Sequence, residues 1–248
     1  MEKYRITKKQ YEILNYLYRF RFLNRQQLTL LMNQKYPGRL NAWLHDLTKK
    51  KILGRQYSRT LTKGNMPATY FLASKSKQFL VDYSGTEQSF LTRIYNEKYR
   101  SQRFIEHSLR LADMYLGLKK DSEKENVKLN FYTKVDLEEY RYLIHPLPDA
   151  YIALSQGRRI KRYFVELIDP GNPRFAIRSK IKRYIEYFQS KEFDEATNHP
   201  FPSVLITCPD EVTRKFLIRY ITDERDNEYL EGLSFHVNSP ISPSWEKV

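Results

Sequence analysis

The chain has a single cysteine, Cys208, among 248 residues. That excludes an internal disulfide and any Cys-based zinc cluster, and it fits a reducing, cytoplasmic setting. Only eight glycines are present, and none form a Gly-rich phosphate loop, which argues against nucleotide hydrolysis. The five histidines (His45, His107, His145, His199, His236) are scattered, with neither His-x-His nor His-Glu-x-x-His spacing. Serine and cysteine nucleophile motifs are absent. The apolar runs fall far short of the roughly 20 residues a membrane span needs. Residues 1–21, studded with Lys, Arg and Tyr, carry no apolar stretch of the kind a secretory signal has, so no membrane partner is expected.

Acidic residues are scarce in one place. Residues 1–82 hold 17 Lys and Arg against four acids (Glu2, Glu12, Asp46, Asp82), a net of +13, whereas the other 166 residues hold 26 basic and 25 acidic side chains. Nearly all of the overall +14 therefore sits in the first third of the chain. General solubility pressure would spread it; a phosphate-contacting module concentrates it. Ser84, Gly85 and Thr86 break the pattern there, so the expected domains are residues 1–84 and 88–248.

In the first domain, Ile13, Leu14, Leu17 and Phe20 fall on one face of a helix starting at Thr7 or Lys8. Asn24 and Gln27 have the spacing of a capping box, with Leu23 and Leu28 placed as a hydrophobic staple. Tyr36-Pro37-Gly38 turns the chain into a third helix over 39–51. Leu40, Trp43, Leu44 and Leu47 face inward there, while Arg39, Asn41, Ala42, His45, Asp46 and Lys49 face outward. Segments 55–59 and 68–72 are expected as the strands of a long-tipped hairpin, followed by a short helix capped by Ser74.

Three helices and a hairpin in this order resemble a winged helix-turn-helix domain. The resemblance implies a third helix in the DNA major groove and a wing on nearby phosphates. Arg39, Asn41 and His45 are the base-edge candidates, because Arg pairs bidentately with guanine and Asn with adenine. Lys49, Lys50, Arg55, Arg59 and Lys63 are the phosphate candidates.

The second domain is expected to be a mixed sheet with helices on its faces. A long helix over 90–118 leads into strands at 128–134, 150–154 and 162–168. A helix follows, capped by Asn172 with Pro173 at its first position and burying Ile177, Ile181, Tyr184, Ile185 and Phe188. A strand at 204–207, a helix over 210–221 capped by Asp210, and a strand at 233–237 complete it. Asp149 and Glu166 lie near the ends of neighbouring strands, a pair suited to a hard divalent cation such as Mg²⁺.

This order resembles the PD-(D/E)xK restriction-endonuclease-like superfamily, so the fold class expected overall is α/β (α+β), a winged helix followed by a nuclease-like sheet. The resemblance implies Asp149 and Glu166 as catalytic metal ligands, with Glu106 on the preceding helix as an additional one, if the site is active. Its lysine should stand two residues after the glutamate, where this chain has Ile168; Lys180 or Lys182 would then have to reach in from the following helix.

Taken together, the winged helix, His107-Ser108-Leu109-Arg110-Leu111-Ala112-Asp113, Pro148-Asp149-Ala150, Phe164-Val165-Glu166-Leu167-Ile168-Asp169 and Lys180-Ile181-Lys182-Arg183-Tyr184 resemble the replication-relaxation family of plasmids and integrative elements. That resemblance implies a double-stranded DNA-binding protein acting in plasmid replication, DNA relaxation or mobilisation. Double-stranded DNA is the expected partner, with a second copy of the chain and relaxase or replication proteins as further candidates. A Mg²⁺-dependent endonuclease or nickase, and a winged-helix transcriptional regulator, are the alternatives.

Overall fold

The computed structural model describes residues 5–57, 67–84, 88–227, 230–238 and 246–247. The chain is a mixed α/β protein packed as two compact units, residues 1–118 and 119–248. Residues 88–118, assigned from sequence to the second domain, thus pack with the first unit.

The first unit begins with α1 (Lys8–Phe20), β1 (Phe22–Asn24), α2 (Arg25–Leu31) and α3 (Pro37–Lys49). Thr7 and Gln10 close a capping box on α1, and Asn24 and Gln27 close another on α2, as the spacing of the latter predicts. Each box glutamine has a second task. The buried Gln10 donates to Asp46 on α3 at 2.6 Å, so Asp46 ties α3 to α1. The buried Gln27 donates to Leu109 O at 2.8 Å and to Asp113 Oδ1 at 2.7 Å.

β2 (Leu53–Gln56) and β3 (Thr69–Leu72) pair antiparallel, and β1 adds to the far edge of β3 in the order β1-β3-β2. β2 begins two residues earlier than expected, residues 58 and 59 of the expected strand lie outside the described residues, and β3 begins one residue later; three residues such as β1 carry no period of their own. Gly54 lies opposite Phe71. A Cβ there would stand 2.3 Å from Phe71 Cζ, and that ring packs with Phe22 and Ile105 in a small core. Gly54→Ala is therefore expected to cost about 1–3 kcal/mol through overpacking, measured as a loss of free energy in urea denaturation.

α4 (Ser76–Ser84) follows. The helix expected over 90–118 is two elements, a 3₁₀ helix at Gln88–Tyr99 and α5 (Gln102–Lys124). Ser101 interrupts them, its hydroxyl accepting from Phe104 N–H at 3.3 Å as a new helix start. Glu97, buried just before the break, takes Arg21 in a fork at 2.9 and 2.6 Å. The stripe on which the longer helix rests, Ile105, Leu109, Ala112 and Leu116, lies wholly within α5.

The second unit is built on a six-stranded sheet ordered β4-β5-β6-β7-β8-β9. Its strands are β4 (Lys128–Thr133), β5 (Ala150–Gln156), β6 (Arg159–Leu167), β7 (Ser203–Thr207), β8 (Phe235–Asn238) and β9 (Glu246–Lys247). β4–β5–β6 is an antiparallel meander, β7 and β8 run parallel to β6, and β9 is antiparallel to β8. The helices are α6 (Lys134–Leu137), α7 (Arg174–Ser190), α8 (Glu192–Thr197) and α9 (Glu211–Asn227). Pro173, rather than Asn172, is the N-cap of α7, whereas Asp210 caps α9 by accepting from Thr213 N–H at 2.7 Å. All five residues expected on the inner face of α7 are buried. They pack on the fully buried Phe164, whose ring lies 5.6–6.3 Å from those of Tyr151, Tyr184, Tyr187, Phe193 and Phe201.

Candidate functional site

Strand register brings the second unit's charged residues together. Thr133 pairs with Ala150 and Ala150 with Val165. One residue further, the same antiparallel order sets Lys134, Asp149 and Glu166 in a row at one end of the meander. Residues of one parity on β6, Phe164 and Glu166, face α7, because side chains alternate across a strand. Tyr184 and Lys180, one turn apart on α7, meet Glu166 there.

Asp149 and Glu166 are almost wholly buried, at 1% and 2% exposure, and a buried carboxylate needs partners. All four of their oxygens have one. Asp149 Oδ1 accepts from Lys134 Nζ at 2.6 Å and Oδ2 from Leu167 N–H at 2.8 Å. Glu166 Oε1 accepts from the Tyr184 hydroxyl at 2.8 Å, and Oε2 accepts from Lys180 Nζ. Burial pushes the Glu166 carboxyl above its usual range, and Asp149 adds to this against the opposing pull of Lys180 and Lys134. Burial works against the Lys180 ammonium, but Glu166 and Asp149 outweigh it and hold the lysine more basic than usual. The Tyr184 phenol, buried beside Glu166, is held protonated as a donor.

The structure thus joins Asp149, Glu166 and Lys180, and adds Lys134 and Tyr184. Ile168 is in the apolar core, so a lysine at that position would bury its ammonium; the ammonium that meets Glu166 is that of Lys180, on α7. Lys182 is exposed. Glu106 belongs to the first unit, hydrogen-bonded to Gln102 at 3.1 Å. The oxygen donors suit a hard cation in type, but each carboxylate already holds an ammonium. Among the described residues, no group of three or more His, Cys, Asp or Glu is arranged to hold a metal ion. As they stand, these residues do not fit a resident Mg²⁺.

Sequence spacing missed Lys134 and Tyr184 for different reasons. Lys134 sits just past a strand end and has no local pattern. Tyr184 falls in the apolar stripe of α7, and its i, i+4 relation to Lys180 is the signal that sets it apart.

In the first unit, α3 turns Leu40, Leu44 and Leu47 inward, with Trp43 half-buried. Arg39, Asn41, His45 and Lys49 are exposed on the other side. Lys50 is paired with Asp46 at 2.8 Å, and Arg55 is exposed with its guanidinium 5.4 Å from the Tyr57 ring centroid. Arg59 and Lys63 lie outside the described residues. The replication-relaxation family model matches residues 14–204. No curated protein and no solved structure matches the chain.

Proposed function

Because the chain belongs to the replication-relaxation family, we propose that it is a double-stranded DNA-binding protein of a plasmid or integrative element, acting in replication, DNA relaxation or mobilisation. Residues 1–84 serve as a winged helix-turn-helix. α3 enters the major groove, where Arg39, Asn41 and His45 meet base edges. Lys49, Lys50, Arg55, Arg59 and Lys63 contact phosphates, which position the protein without specifying a sequence. The observation that carries this reading is the outward row of Arg39, Asn41, His45 and Lys49 on a helix whose other face is locked into the core, within a segment of net charge +13.

The test is duplex binding by the full chain across a salt series. With about five to seven phosphates neutralised, log affinity falls against log salt with a slope of about −4.5 to −6. A flat response would mean that the basic face meets protein instead.

The second unit acts in this reading as a scaffold or dimerisation surface with a nuclease-like PD-(D/E)xK sheet. The endonuclease alternative is favoured by the adjacent buried Asp149 and Glu166 with Lys180 beside them. Against it stands the saturation of all four carboxylate oxygens. Supercoiled plasmid incubated with the protein and Mg²⁺ or Mn²⁺ is expected to stay uncut on agarose gels. Nicking that disappears in both Asp149→Ala and Glu166→Ala would establish the enzyme.

A further inference from the structure

We propose that a tyrosine-lined cavity in the second unit takes one unpaired nucleobase of a DNA strand. The cavity holds about 350 Å³, and its walls include Tyr132, Tyr140, Tyr142, Tyr151, Phe193 and His199. The rings stand at angles to one another: Tyr132 and Tyr151 at 47° and 6.0 Å, Tyr140 and Tyr142 at 66° and 5.9 Å, Tyr142 and Phe193 at 63° and 6.3 Å. Such walls offer flat apolar faces together with phenol hydroxyls, the combination that suits a planar heterocycle with a hydrogen-bonding edge. Burial pushes the Tyr151 hydroxyl up to about 12 and raises that of Tyr142, so both remain neutral donors.

Among the described residues, none that lines the cavity is a carboxylate. Charges of both signs flank the cavity in sequence: the acids Glu138, Glu139, Glu192, Asp194 and Glu195, and the cations Arg141 and Arg162, which a phosphodiester would use. Arg162 lies close enough to the Tyr151 hydroxyl to oppose its upward shift, and the exposed Arg141 stands between Tyr140 and Tyr142 in sequence. Tyr132 and Tyr151 are cross-strand partners two residues from Lys134 and Asp149 respectively, on the sheet face that carries the charged row. A base reaches such a pocket from a single strand or by leaving the stack.

This inference rests on the reading of the chain as a DNA-binding protein in taking DNA as the polymer. The probe is a single-stranded oligothymidylate carrying one 5-iodouracil, irradiated with the full-length protein and mapped by mass spectrometry. Crosslinks are expected on Tyr132, Tyr140 or Tyr142. The Tyr132→Ala/Tyr140→Ala variant should bind the strand about tenfold more weakly, while Tyr132→Phe/Tyr140→Phe keeps its affinity. Crosslinks confined to residues 1–84, or none at all while duplex binding persists, would overturn this proposal and leave the winged-helix reading standing. Crosslinks in the cavity with no duplex binding would do the reverse. Competition by micromolar thymidine monophosphate would mark a free nucleotide as the occupant and overturn the strand assignment.

Discussion

Lys180→Ala is expected to destabilise the protein by about 3 kcal/mol, the lower end of the cost of removing one member of a buried ion pair, because the Lys180 side chain is itself 21% exposed. The magnitude follows from what stays behind. Glu166 is 2% exposed and would keep only the Tyr184 hydroxyl, with Asp149 close enough to oppose its charge. The wild-type carboxyl is already raised by burial, and losing the ammonium removes the main opposing influence. The sign of the pH dependence follows. Above the ordinary carboxylate pKa the unfolded chain has released this proton while the folded variant retains it, so stability falls as pH rises through that window. Below it, both states are protonated and the penalty disappears. Urea denaturation at pH 5 and pH 7.5 should therefore show a smaller deficit at the lower pH. Glu166→Gln/Lys180→Ala should recover much of the loss, because the amide carries no charge to strand. A single variant with a pH-independent deficit below 1 kcal/mol would show that the pair is solvated.

The site was legible in the sequence to the extent that its chemistry is local. Pro148-Asp149 and Glu166 stand out as acids at the ends of apolar strands, and Ile168 is visibly not the lysine the pattern calls for. The partners of the acids come from elsewhere: Lys134 from across β4, Lys180 and Tyr184 from α7. Strand register and helix docking bring them in, and both are non-local. The same division runs through the fold. Capping boxes and helix faces obey a period of a few residues, so the inner faces of α1 and α7 and the Asn24–Gln27 box follow from spacing. β1 forms where Phe22–Asn24 pairs with the edge of β3, and the Arg21–Glu97 fork just before the break at Ser101 reaches across 76 positions. Asp113, conspicuous only as the last residue of a familiar motif, holds Gln27 of the capping box.

Arg39→Ala and Lys49→Ala are expected to weaken duplex binding in two distinguishable ways. Both side chains are exposed on α3, so neither substitution removes core packing, and thermal stability should stay within about 0.5 kcal/mol of wild type. If Arg39 meets a guanine edge, its loss costs about 1–3 kcal/mol on the preferred site and little on random duplex, so the ratio of the two affinities collapses. If Lys49 meets a phosphate, its loss lowers both affinities alike and reduces the salt slope by about one contact, near 0.9. Asp46 sharpens the comparison. It joins α3 to α1 through Gln10 and holds Lys50, so Asp46→Ala should loosen the seating of the helix and damage both terms together. The readout is fluorescence anisotropy on specific and random duplexes at several salt concentrations. Equal loss on the two duplexes from Arg39→Ala would place the base-reading residues elsewhere on α3, and no loss from either variant would take the helix out of the groove.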